Sequence, residues 1–154
     1  MRELASDTAN VSMLTDPPPS GCCRTFPATP EHVGQARRAL AVLLDGSSLT
    51  EDATVCLSEL VTNSIEHSNS RQPGGQFTVC ATLAGGWLRV EVEDQGGLWL
   101  PRPQGTDGPR GRGLRIVEAL SLAWGRSGGG TGSRTVWFEM HEDPNGSLGP
   151  WRSA

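Results

Sequence analysis

A chain of 154 residues has room for one domain, and folding a chain of that length buries roughly two thirds of its unfolded surface. Its formal net charge of −4 and pI near 5.3 exclude the basic footprint of a phosphate-backbone reader, so no nucleic-acid partner is expected. All 13 cationic residues are arginine, which excludes a Walker-type phosphate lysine and a Schiff-base lysine.

Cysteines occur at positions 22, 23, 56 and 80, with no CxxC pair and no histidine at zinc-finger spacing. They are expected to be reduced thiols of a cytoplasmic protein. No apolar run approaches the roughly 20 residues of a membrane span, and the opening MRELASDTANVSMLTDPPPSG lacks an apolar signal segment. No membrane partner is expected.

Residues 1–21 are polar and without sustained period, and read as a disordered arm. The ordered domain is expected over 22–141, starting with CCRTFPA, an edge strand because Pro27 is tolerated only at an edge or strand end. In TPEHVGQARRALAVLL, Thr29 at the N-cap, Pro30 at the first helical position and apolar Val33, Ala36, Leu40 and Leu43 predict a helix. After the loop DGSSL, Thr50 is expected to cap a second helix running to about Ser68. Its apolar side is Ala53, Cys56, Leu57, Leu60, Val61 and Ile65, with Glu59, Asn63, Glu66 and His67 opposite.

QFTVCATLAGGWLRVEVED alternates on both sides of a Gly-Gly turn and predicts a β-hairpin. From Gln95 to Arg112 the chain has five glycines, three prolines and no period; a loop this long inside a small domain suggests a lid. GLRIVEALSLAWG predicts a helix stopped by Gly125, with Leu114, Val117, Leu120 and Trp124 on one side. A glycine-rich turn leads to the strand RTVWFEM, and residues 142–154 read as a disordered tail. Strands and helices in this order suggest a two-layer α/β sandwich, a mixed, mainly antiparallel sheet with helices on one face.

Three clusters carry chemistry. In SELVTNSIEH, Glu59, Asn63 and His67 fall at i, i+4 and i+8, one stripe of a helix. An amide oxygen suits Mg²⁺ bound mainly by phosphates and water, and a carboxylate one turn away could accept a proton; taken alone, the stripe equally describes a solvated face. In VEVEDQGG, Asp94 at a strand end could accept from an exocyclic base amine while Gly96 lets a flat ring approach; Asp-x-Gly is also a common turn. In GRGL, residues Gly111, Arg112, Gly113 and Leu114 stand where the loop becomes a helix, a place suited to phosphate or simply to a flexible helix entry.

In this order the segments resemble the GHKL superfamily and its Bergerat ATP-binding fold: ELVTNSIEH resembles the N-box, EDQGG the first glycine box, GRGLRIVEAL the second, and SRTVWFEM the last strand. The similarity is closest to the stand-alone anti-sigma-factor serine/threonine kinases and short ATP-binding regulators of actinomycetes. It implies Glu59 as general base, Asn63 as the Mg²⁺ ligand, Asp94 with Gly96 at adenine, Gly111 to Leu114 at the phosphates, Thr135 supporting the adenine site, and a nucleotide-side place for His67. It further implies ATP and Mg²⁺ as cofactors, a sigma factor and a STAS-domain anti-anti-sigma protein as partners, and a homodimer. The first box, Asp-Gln-Gly-Gly followed by Leu-Trp, departs from the fuller Asp-x-Gly-x-Gly, which leaves open a non-catalytic, ATP-binding regulator acting by partner binding only.

Overall fold

The computed structural model describes residues 20–97, 113–129 and 132–142. Five strands, β1 (Ser20–Pro27), β2 (Gln76–Ala84), β3 (Trp87–Asp94), β4 (Ala123–Gly128) and β5 (Arg134–His141), form one sheet in the order β1-β2-β3-β5-β4. The expected α/β sandwich with a mainly antiparallel sheet is what forms, and every strand pair among the described residues is antiparallel. Three helices, α1 (Pro30–Leu43), α2 (Thr50–His67) and α3 (Gly113–Leu120), cover one face of it. Helix α2 lies in the middle, packed against α1 and α3 and over the central strands.

Alternation decides which strand residues meet the helices. Val79, Ala81, Leu88, Val90, Val92, Val136, Phe138 and Met140 point inward and are buried with Ala53, Leu57, Leu60 and Val61 of α2. Phe26 and Phe77 stack with ring centroids 5.3 Å apart at the start of the first strand pair. The β2–β3 turn needs glycine twice: Gly85 and Gly86 have φ of 56° and 79°, the left-handed pair of a two-residue hairpin turn.

On the opposite face, Arg89 bridges Glu91 (2.9 Å) and the buried Glu139 (2.6 Å), with its guanidinium 4.2 Å from the Trp137 ring centre. Trp87 packs against His141 on the same face.

The structure corrects several expectations. β1 begins at Ser20, two residues inside the segment expected as an arm, and pairs with β2 along its whole length. Thr29 occupies the N-cap of α1, but its hydroxyl bonds His32 Nδ1 (2.6 Å) and makes no cap hydrogen bond. Leu49, rather than Thr50, is the N-cap of α2, and the Thr50 hydroxyl donates to the carbonyls of Leu44 and Ser47, tying the α1–α2 loop.

Helix α3 stops at Leu120, and the residues expected to extend it form β4. The Leu122 N–H donates to Glu139 O (2.9 Å), and from Ala123 onward the chain pairs with β5. Gly125 is therefore a strand glycine. A Cβ there would stand 2.6 Å from the Trp137 indole, so the ring rests on bare backbone.

Cysteine usage is also corrected. Cys23 and Cys80 face each other across β1 and β2, Cα atoms 4.1 Å apart, and form a disulfide. Cys22 is an exposed free thiol and Cys56 a buried one. The cysteines thus no longer support a reducing compartment. Among the described residues, no helix is long and apolar enough to cross a membrane.

Candidate nucleotide-binding site

The period of α2 turns Leu57, Leu60, Val61 and Ser64 to the core and leaves Glu59 and Asn63 half-buried on the flank that meets α3. There they meet the first residue of α3. A Cβ on Gly113 would stand 2.9 Å from Glu59 Oε2 and 3.6 Å from Asn63 Nδ2. Gly113 is buried, so the absence of a side chain lets the start of α3 close onto both groups. The first N–H groups of a helix have no partner within it and carry the positive end of its dipole, which suits a phosphate oxygen. Neither the Glu59 nor the Asn63 side chain has a hydrogen-bond or ion-pair partner among the described residues.

The second wall is the end of β3. Asp94 is 3% exposed, and its Oδ1 accepts the Gly96 N–H at 2.9 Å. Both readings of Asp-x-Gly are therefore compatible: the turn forms, and the carboxylate stands at a strand end on the helix side of the sheet. Gly96 and Gly97 have φ of 85° and 117°, conformations that favour glycine.

A hydrogen-bonded clamp fixes this wall against α2. After α2, Ser68 caps a short 3₁₀ turn at Asn69–Arg71. The buried Ser70 hydroxyl donates to Gln76 O (2.7 Å) and accepts from Gln95 N (2.9 Å); Asn69 N donates to Gly96 O (2.8 Å). Three segments, residues 69–70, Gln76 and residues 95–96, are thereby held together next to Asp94.

His67 is not brought to Gly113. It lies at the end of α2, 3.6 Å from Glu66, and lines a cavity of about 340 Å³ with Ile65, Glu66 and Arg71. Leu114 is half-buried and its side chain packs on the core, so what it can offer an anion is its backbone. Gly111, Arg112 and most of the expected lid, residues 98–112, lie outside the described residues.

Thr135 is corrected. It pairs with Glu93, and both face away from Asp94, because a single step along a strand reverses the side-chain direction. The residue opposite Asp94 is Arg134, 4% exposed, whose Nε and terminal NH₂ bond Asp94 Oδ1 (3.2 Å) and Oδ2 (3.1 Å). Sequence reading missed Arg134, although the signal was present: alternation back from Met140, Phe138 and Val136 puts it on the core face.

Among the described residues, no group of three or more His, Cys, Asp or Glu could hold a metal. The donors at hand, one amide and one carboxylate a helical turn apart, fit a Mg²⁺ ion held chiefly by nucleotide phosphates and water.

A helix-covered antiparallel sheet, a carboxylate and an amide facing a glycine helix start, and an acidic strand end on the same side of the sheet define an α/β ATP-binding domain. Residues 26–137 match the family described as the histidine kinase-like ATPase domain, and the chain, with well over half its length matched, belongs to that family.

Proposed function

We propose that the protein is a Mg-ATP-dependent serine/threonine kinase acting as an anti-sigma factor, which phosphorylates a STAS-domain anti-anti-sigma partner and otherwise sequesters a sigma factor in the cytoplasm. The observation carrying this reading is the pairing of Glu59, with no partner among the described residues, with the glycine start of α3. A general base must be free to take a proton at the point where the phosphoryl group is held.

In the proposed reaction, Glu59 accepts the hydroxyl proton of the target Ser or Thr as its oxygen bonds to the γ-phosphorus. The bond to the β-phosphate oxygen breaks and ADP leaves. Asn63 would hold Mg²⁺, which when bound neutralises phosphate charge. Backbone N–H groups at Gly113 and Leu114 hold phosphate oxygens, and Asp94 receives the adenine amine. Most of the rate would come from positioning and fixed electrostatics. A homodimer of this domain belongs to the same proposal.

One feature favours a second reading, a nucleotide-dependent regulator without chemistry: the first glycine box runs Asp-Gln-Gly-Gly and then Leu-Trp, short of the fuller Asp-x-Gly-x-Gly. Incubation with γ-labelled ATP, Mg²⁺ and a STAS-domain protein separates the two. The kinase labels the partner, and Glu59→Ala lowers the rate about 10²–10⁴-fold. ATP binding with no label transferred by the wild type would establish the regulator instead.

A further inference from the structure

The Asp94 carboxylate has about four lone-pair positions, two on each oxygen. Oδ1 receives Gly96 N–H and Arg134 Nε–H, and Oδ2 receives one N–H of the Arg134 terminal nitrogen. Among the described residues nothing else bonds this side chain, so one acceptor position is left, on Oδ2. The guanidinium is planar and grips both oxygens, which fixes the plane of the carboxylate and the direction of that last lone pair. Both partners are nearly fully buried, so water competes little for the geometry.

We propose that Arg134 is a specificity-determining positioning residue for the nucleobase: it leaves Asp94 a single, fixed acceptor on Oδ2 that receives one N–H of a 6-amino purine and rejects a 6-oxo purine. The proposal rests on the ATP-binding reading of the site. An amino group at C6 offers the proton that Oδ2 lacks, whereas a C6 carbonyl sets oxygen against oxygen with no proton between them. Without Arg134, the carboxylate can rotate about its side-chain torsion away from the base, so the hydrogen bond to a 6-amino group and the repulsion of a 6-oxo group both weaken and the base is read less strictly.

The test is calorimetric titration of the full chain with ATP and with inosine triphosphate, which differs only in carrying oxygen for the amine at C6. The wild type is expected to bind ATP at least about tenfold more tightly, the equivalent of one hydrogen bond to a charged group. Arg134→Gln should bring the two affinities within about threefold, and Arg134→Lys, which keeps the charge but not the two-point grip, should fall between. A role confined to holding the fold would weaken both nucleotides together and leave their ratio unchanged. A folded Arg134→Gln with the wild-type ratio overturns the proposal; should that variant fail to fold, an unchanged ratio in Arg134→Lys does so. A wild type that binds both nucleotides equally also overturns it, while ATP binding stands. A wild type that binds neither removes the ATP reading itself.

Discussion

Glu59 and Gly113 are locked together: the carboxylate of one occupies the space that a side chain on the other would need, with Oε2 only 2.9 Å from the virtual Cβ. The consequence is a substitution whose effects on stability and activity diverge. Alanine favours a helix over glycine by up to about 1 kcal/mol, and the atom it meets in Gly113→Ala is the far end of a flexible side chain that can swing aside. Melting of Gly113→Ala should therefore stay within a few degrees of wild type, while phosphate transfer should fall at least about tenfold because Glu59 is displaced. A scan of melting temperature beside a transfer assay reads both; an unimpaired rate would dissociate Glu59 from the chemistry.

Glu59 and Asn63 are adjacent on α2 yet should separate kinetically. Glu59→Gln keeps size and hydrogen bonding but cannot take a proton at neutral pH, so kcat should collapse while nucleotide affinity stays within about threefold. Asn63→Ala should instead weaken Mg-ATP about tenfold or more while leaving metal-free ATP nearly unchanged. Titrations with and without Mg²⁺ distinguish the two substitutions. Equal losses in metal-free and metal-loaded binding would place Asn63 on the nucleotide rather than the ion.

Much of this site was legible in one dimension because helices keep fixed spacing. Glu59 and Asn63 four residues apart must share a flank, and the hairpin around Gly85 and Gly86 follows from alternation and turn chemistry. What was not legible depends on the partner strand. The helical spacing of Leu114, Val117 and Leu120 continues to Trp124, and nothing local shows that Leu122 pairs with Glu139 or that Trp137 needs Gly125 bare. Arg134 was passed over by one residue: alternation already puts it on the core face, but the resemblance drew attention to Thr135, and only the register against β3 sets Arg134 opposite Asp94. The Cys23–Cys80 bond likewise depends on strand pairing between distant segments.

Cys56 gives a pH dependence with a defined sign. It is fully buried in α2, and burial first, then the nearby Asp52 and Glu59 charges, push its thiol from 9.0 up to about 12. The folded state thus holds this proton after the unfolded chain has released it. The associated stability is fully present below pH 9 and is lost as pH rises toward about 12, approaching 1.4 kcal/mol per pH unit for one proton. Cys56→Ala should be less stable than wild type at pH 7, because a buried sulfur is removed, yet show a shallower decline between pH 9 and 11. Urea midpoints across that range measure it, and parallel declines would exclude Cys56 as the titrating group.

The disulfide joins cysteines 57 residues apart, Cys23 on the edge strand and Cys80 on its neighbour. Closing a loop of that length removes unfolded-state entropy corresponding to about 4 kcal/mol, an upper figure for what the bond contributes. Within the loop lie α1 and α2, including Glu59 and Asn63, so the crosslink restrains the segment that carries the site. Reduction, or Cys23→Ser with Cys80→Ser, should lower the melting temperature by roughly 10 °C. Cys22→Ser is the matched control: its thiol is exposed and unbonded on the same strand, and its loss should move melting by less than about 2 °C. β1 should loosen first, because its residues are exposed except for Phe26 and it has a neighbour on one side only. Hydrogen exchange on reduction should therefore rise in 20–27 before it rises in the central strand β3. Uniform loss of protection across the sheet would mean that the bond stabilises the fold as a whole, with no separate hold on its edge.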